Sequence, residues 1–294
     1  MAEHRLGRLQ YQAARRLHAH TTGLRRQVIT VNGLRIPLLR GGEGPPLLLV
    51  HGFGDRGETW AMLSLWLRKG FELLIPDLPG FGEADPIPSA RASVPAQADF
   101  LADLLDVADV GQAHVAGQSM GGAVAASFAV RHGERLRTLM LISAAGPLGL
   151  DAEFERLVLA GKNPLLTRSL ADFDHLLTFS FSGRPPFPRA LRRHLAAQWS
   201  ARRGEHEQHF ARLMDPEEGE GVAVDLGAIH VPTLIVSGRD ERVVHPGNAR
   251  AYLDAIPMAE LVMLDGCGHC PHLEATARLA RVMRSFLAQH TPHL

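Results

Sequence analysis

His114-Val115-Ala116-Gly117-Gln118-Ser119-Met120-Gly121-Gly122-Ala123-Val124-Ala125-Ala126 is the stretch on which the fold turns. It begins as a short apolar run of strand type and ends as a small-residue run that suits a helix. Between the two, Gly-x-Ser-x-Gly holds one serine at a sharp strand-to-helix turn. Such a turn strains the backbone and admits no bulk beside it, so glycines at 117 and 121 let it close. The Ser119 hydroxyl then projects above the edge of a sheet. The helix N-terminus behind it favours negative charge as it develops.

Working outward, the same alternation recurs on both sides. Leu47–Val50 is a continuous apolar run, Glu58–Lys69 has helical spacing, and Glu72–Pro76 is another short run ending at Asp77. Val94–Val107 reads as a helix, Met120–His132 as the small-residue helix, and Leu136–Ser143 as a strand. After a gap the pattern resumes at Thr233–Ser237, Asn248–Ile256, Leu261–Leu264 and His272–Ala288. Short apolar runs alternating with amphipathic helices predict an α/β fold, a mostly parallel sheet with helices on both faces. Gln27–Val31 and Arg35–Leu39, around Asn32-Gly33, predict a hairpin in front of it. The predicted core is 27–146 with 227–294. Residues 147–226 are mostly helical and read as an inserted cap, or lid, over the carboxyl edge of the sheet, where ligands bind in open α/β sheets. Residues 1–26 read as an N-terminal extension, a weakly amphipathic helix lying on the core. Its arginines and leucines leave open a weak peripheral contact with a membrane surface.

A free serine hydroxyl is a poor nucleophile and needs a base and an orienting acid. His269 follows the Leu261–Leu264 run. The acid is expected after Thr233–Ser237, in Ser237-Gly238-Arg239-Asp240-Glu241-Arg242, which offers both Asp240 and Glu241. Serine, acid, histidine is the chain order this architecture requires. The oxyanion of a tetrahedral intermediate would be held by the backbone N–H groups of Met120 and of Phe53, in the His51-Gly52-Phe53 turn. His51 itself reads as structural.

With these residues in place the chain resembles an α/β-hydrolase from about residue 27 to about residue 290. His51-Gly52-Phe53-Gly54 with Trp60, Asp77-Leu78-Pro79-Gly80-Phe81-Gly82 and Gly-Gln-Ser-Met-Gly-Gly are similar to family motifs in family order. The resemblance implies an acid three residues after Gly238, which is Glu241, with Asp240 one residue early. The cap resembles that of bacterial lipases and monoacylglycerol-hydrolase-like enzymes, through Asn163-Pro164-Leu165-Leu166, Asp172-Phe173-Asp174 and Arg184-Pro185-Pro186-Phe187-Pro188.

Composition excludes several classes. Lys+Arg and Asp+Glu are each 31, so a formal net charge of zero offers no footprint for nucleic acid. The longest apolar stretch, near Thr138–Leu150, is interrupted by Ser143, Gly146 and Pro147, well short of the about 18 residues of a membrane span. No apolar leader is visible, and the expectation is a cytoplasmic protein. Cys267-Gly268-His269-Cys270 has the spacing of a dithiol redox motif but not its setting, and reads as two small buried thiols. The 16 histidines form no metal-binding pattern, and His206 and His209 read as part of a polar cap helix. Gly80-x-Gly82 is no dinucleotide fingerprint and reads as a loop lining the acyl entrance. No cofactor and no metal are expected.

The expected function is hydrolysis of short-to-medium acyl esters, monoacylglycerols included, through Ser119, His269 and Glu241 or Asp240. The alternatives are a carbon–carbon bond hydrolase of ring-cleavage products and a catalytically silent small-molecule receptor on the same fold.

Overall fold

β1 (Arg25–Val31) and β2 (Leu34–Gly41) pair antiparallel through Asn32 and Gly33, both with positive φ, the conformation that a two-residue turn of this kind requires. β3 (Pro46–Val50), β4 (Glu72–Pro76), β5 (Ala113–Gln118), β6 (Leu136–Ile142), β7 (Thr233–Gly238) and β8 (Ala259–Leu264) complete one sheet in the order β1-β2-β4-β3-β5-β6-β7-β8. β3 to β8 are parallel, and β2 joins β4 antiparallel. The computed structural model describes residues 2–88, 91–183, 185, 187–214 and 225–291. Arg184, Pro186 and residues 215–224, which the lid reading includes, lie outside the described residues.

Helices α2 (Ala61–Leu67), α3 (Val94–Val107) and α4 (Met120–Arg131) connect the early strands, α9 (Asn248–Ala255) connects β7 to β8, and α10 (Pro271–Glu274) and α11 (Thr276–His290) follow β8. Between β6 and β7 lie α5 (Ala152–Leu159), α6 (Leu170–Ser180), α7 (Arg189–Ala201) and α8 (Arg203–Leu213). α1 (Ala2–Thr22) precedes the sheet.

The apolar runs are unbroken because the strands are covered twice. Side chains alternate across a strand, so Leu48 and Val50 join a buried cluster with Phe100 and Leu104 of α3 and Val124 of α4. Leu47 and Leu49 join another with Leu63 and Leu67 of α2 and Met283 of α11. Two faces each packed on helices leave only the strand ends for function.

Three elements differ from the sequence reading. The helix predicted over 58–69 opens as a 3₁₀ turn, Gly57–Trp60, before α2. β8 starts at Ala259, because at this edge of the sheet Ala259 is only partly buried and Glu260 is exposed, which leaves little apolar signal there. The last helix is broken at Ala275 (φ −127, ψ 33), and the Glu274 side chain just before the break turns back to accept from Gly268 and Cys270 N–H. Among the described residues no helix is long and apolar enough to cross a membrane.

Candidate active site

Ser119 sits between β5 and α4 with φ 56 and ψ −122, a region that costs a non-glycine residue on the order of 1–3 kcal/mol. The surroundings hold it there. Its N–H donates to Ile142 O at 3.1 Å, and its carbonyl accepts from Ala145 N–H at 2.9 Å. Gly117 and Gly121 are needed for close approach: a Cβ on either would strike backbone, at Gly121 for the former and at His51 and Val50 for the latter.

His269 lies in the loop between β8 and α10. Its Nε2 is 2.9 Å from Ser119 Oγ, and its Nδ1 is 2.9 Å from Glu241 Oε2. Both His269 and Glu241 are buried. The other Glu241 oxygen, Oε1, accepts from the backbone N–H of Arg242 at 3.0 Å, Val243 at 2.9 Å and Val244 at 3.4 Å. Burial alone would raise the Glu241 carboxyl. The His269 ring beside it, its hydrogen bond, and those from Val243 and Val244 outweigh that and hold the group below its ordinary value. Asp240 is exposed, and its N–H donates to Cys267 O. Of the two acids the sequence offers, the structure brings Glu241 to the histidine and leaves Asp240 at the surface.

The His51–Gly54 turn passes directly beside the serine, for a Cβ on Gly52 would lie 3.1 Å from that of Ser119. Met120 is the first residue of α4, so its N–H is one of the donors a helix leaves unmatched. No described carbonyl accepts from Phe53 N–H. Phe53 and Met120 line one cavity with Ser119 and His269. His51 is structural: its Nδ1 donates to Gly52 O at 2.8 Å, and Nε2 accepts from Leu78 N–H at 2.9 Å.

Two residues outside the sequence reading position the histidine loop. Gln118 Nε2 donates to His269 O at 2.9 Å. Glu274 accepts from Gly268 and Cys270 N–H with Oε1 and from Ser182 N–H and Oγ–H with Oε2, which ties the segment after α6 to this loop. Gln118 is the variable position of Gly-x-Ser and Glu274 opens no motif, so neither carried a signal in sequence.

The cavity has a volume of about 810 Å³, within the usual range of small-molecule sites. Phe173, Leu176 and Leu177 of α6 line it, with Phe181 and Phe187 from the segment between α6 and α7, as does Leu165. Phe179 instead packs on Phe154 and Val243, an attachment role. Gly80–Gly82 does not line the cavity, contrary to the sequence reading. Phe81 is buried under α8, where His206 stacks on it and His209 meets it edge-on, and Arg202 donates to Gly82 O. Those two histidines share one face of α8 as their spacing predicts, and that face is buried against aromatic rings. Among the described residues no group of three or more His, Cys, Asp or Glu is placed to hold a metal ion.

Cys267 and Cys270 are both free thiols. Burial, with Glu274 nearby, pushes Cys267 up to about 12, and burial raises Cys270 well above an ordinary thiol. Redox-active cysteines show the opposite shift, because the thiolate is the reactive species. The native protein is therefore expected to resist alkylation by iodoacetamide at pH 8 and to reduce no disulfide substrate. Dithiol-dependent reductase turnover would contradict this.

The family model for the alpha/beta hydrolase fold matches residues 45–276. Lipase 1 of Psychrobacter immobilis is 30% identical over 249 residues, 83% of this chain and 77% of that protein. The 2-hydroxymuconate semialdehyde hydrolase of Pseudomonas sp. strain CF600 is 32% identical over 277 residues, 90% of this chain and 94% of that one. Among solved structures, a membrane phospholipase A described as a bacterial virulence factor is 31% identical with a TM-score of 0.89, covering 97% of this chain and 92% of that chain. A match over that span, alongside relatives that cover most of the chain, makes this protein a member of the α/β-hydrolase family that resembles bacterial lipases.

Proposed function

We propose that the chain hydrolyses carboxylic esters of short-to-medium acyl chains, with Ser119, His269 and Glu241 as its catalytic triad. The observation that carries this is the Ser119–His269–Glu241 hydrogen-bonded line opening onto a cavity whose walls are mostly apolar. His269 Nε2 takes the proton of Ser119 as Oγ attacks the ester carbonyl carbon. The oxyanion forms against the Phe53 and Met120 N–H groups. The carbon–oxygen bond to the alcohol then breaks as His269 returns the proton to the leaving oxygen. A water gives its proton to His269 and attacks the acyl-enzyme, and release of the acid restores Ser119. The 147–226 insertion serves in this reading as the cap that roofs the acyl pocket.

Each methylene buried in such a pocket is worth up to about 0.8 kcal/mol. Discrimination by chain length should therefore grow until the pocket is full. In a series of p-nitrophenyl esters, kcat/KM is expected to rise over several carbons and then fall, with emulsified long-chain triacylglycerol a poor substrate. A rate flat or falling from acetate onward, or a preference for the triacylglycerol, would show that the inserted helices form no such pocket.

The similarity to a 2-hydroxymuconate semialdehyde hydrolase supports a second reading, cleavage of a carbon–carbon bond in a ring-cleavage product. A carboxylate-bearing substrate needs a cation free in the cavity. The two arginines that line it are already matched: Arg15 with Glu58, and Arg56 with Tyr11 and the carboxylates around it. That favours the ester. Turnover of an aryl ester against that of a vinylogous diketone separates the two readings, and labelling of Ser119 by a fluorophosphonate separates either from a silent receptor.

A further inference from the structure

α1 turns its polar side inward. The residues it directs at the body of the molecule are Gly7, Tyr11, Arg15, His18 and Thr22, three or four apart and so on one face. Leu6 and Leu9 point away and are 50% and 60% exposed, while Leu17 lines the cavity and is 64% exposed. A surface helix ordinarily does the reverse. The inward face rests on α7 so closely that a Cβ on Gly7 would strike the Ala190 carbonyl. α1 also lies wholly outside the residues that the family model matches, so the shared fold does not require it.

What this face meets gives the reason for its polarity. Tyr11, Arg15 and His18 line the same cavity as Ser119 and His269, together with Asp55, Arg56 and Glu58 from the segment just after Phe53. Arg56 Nη1 donates to Tyr11 Oη at 3.2 Å. Arg15 Nε lies 3.2 Å from Glu58 Oε1, which Arg26 Nη1 also meets at 2.8 Å, and Arg15 Nη1 lies 3.1 Å from Glu83 Oε1. Phe173, Leu177, Phe181 and Trp199 line the cavity too, so it combines an apolar lining with a polar one.

We propose that α1 and residues 55–58 form the subsite for the leaving alcohol, and that the alcohol they take is a neutral polyol of the glycerol type. The proposal rests on the ester reading above and adds to it which residues hold the head of the substrate. Tyr11 Oη accepts from Arg56, so its own proton is left to donate, and the Asp55 carboxylate has lone pairs beyond those that take Arg56 N–H and the Thr59 hydroxyl. Hydroxyl groups on neighbouring carbons supply an acceptor for the first and a donor for the second. An alkyl alcohol would leave the Tyr11 proton and the remaining Asp55 lone pairs unmatched, the situation in which a site rejects an analogue most strongly. An anionic head would find Arg15 and Arg56 already engaged. Burial raises the Asp55 carboxyl and the Tyr11 hydroxyl from their ordinary values, as expected of a wall kept from bulk water.

The test compares kcat/KM for glycerol monobutyrate and methyl butyrate, which share an acyl group, on the full chain. The wild type is expected to favour the glycerol ester. Tyr11→Phe and Asp55→Asn should each lower the ratio of the two by about 3- to 10-fold, the weight of one hydrogen bond, mainly through KM of the glycerol ester. Tyr11→Phe keeps the ring that packs on His194 and under Arg15 and Arg56, so α1 stays docked, and a thermal melt checks this. Leu9→Ala, on the outward face, should leave the ratio unchanged. A wild-type ratio at or below one, or the wild-type ratio retained in both variants, overturns the proposal. So does an equal loss on both esters, which would mean a structural role. If the wild type turns over neither ester, the ester reading fails and takes this subsite with it.

Discussion

Ser119→Ala is expected to cut kcat on a short-chain p-nitrophenyl ester by about a million-fold while the protein stays folded. The size of the loss follows from what the hydroxyl does: without Oγ there is no acyl-enzyme, and His269 has no proton to take. What remains is the cavity and the two N–H donors, which leave a residual acceleration of roughly 10³–10⁴ over water. The fold should survive because the strained conformation at 119 is held by backbone, through Ile142 O and Ala145 N–H, and not by the side chain. Oγ faces the cavity, so alanine opens no void in either core cluster. Circular dichroism and a thermal melt should match wild type, and fluorophosphonate labelling should disappear. Retention of more than about a hundredth of wild-type turnover in a folded variant would reject Ser119 as the nucleophile.

How legible the site was depends on how local its determinants are. The parallel strands could be read because burial on both faces writes itself as continuous Leu-Leu-Leu-Val and Leu-Leu-Ile runs. Ser119 could be read because its strain demands glycines at fixed offsets. The spacing alone left Asp240 and Glu241 open, and only the family resemblance pointed to Glu241, since adjacent residues in a loop point to opposite sides and the turn at 242–244 decides which one enters. α1 shows the limit most clearly. Its leucines suggest an apolar face, yet the helix turns Tyr11, Arg15 and His18 inward, because the surface that receives it carries Arg56, Glu58 and Glu83, polar residues scattered over the first third of the chain. The burial of His206 and His209 was out of reach for the same reason: the rings of Phe53 and Phe81 that cover them lie far away in sequence.

Glu241→Gln is expected to lower kcat by about 10⁴-fold, and Asp240→Asn to have little effect. The reason is specific to the way Glu241 is held. Three backbone N–H groups, from Arg242, Val243 and Val244, converge on Oε1 and can be satisfied only by an acceptor. A glutamine must therefore place its oxygen there, and its NH₂ then faces His269 Nδ1. To accept from that NH₂ the imidazole must carry its proton on Nε2, the nitrogen 2.9 Å from Ser119 Oγ. A protonated Nε2 cannot take the serine proton, so the variant would be a well-ordered enzyme in the wrong tautomer. It would also lack the carboxylate that stabilises imidazolium in the transition state. The alternative amide orientation leaves Nδ1 correctly bonded but turns the NH₂ against three N–H donors, which is the costlier arrangement in a buried site. Asp240, exposed and engaged with Cys267 only through its backbone, has no such task. The two variants are compared by kcat on one ester, with circular dichroism to confirm folding. Equal, mild losses would mean the acid lies elsewhere, and a larger loss at Asp240 would reverse the assignment.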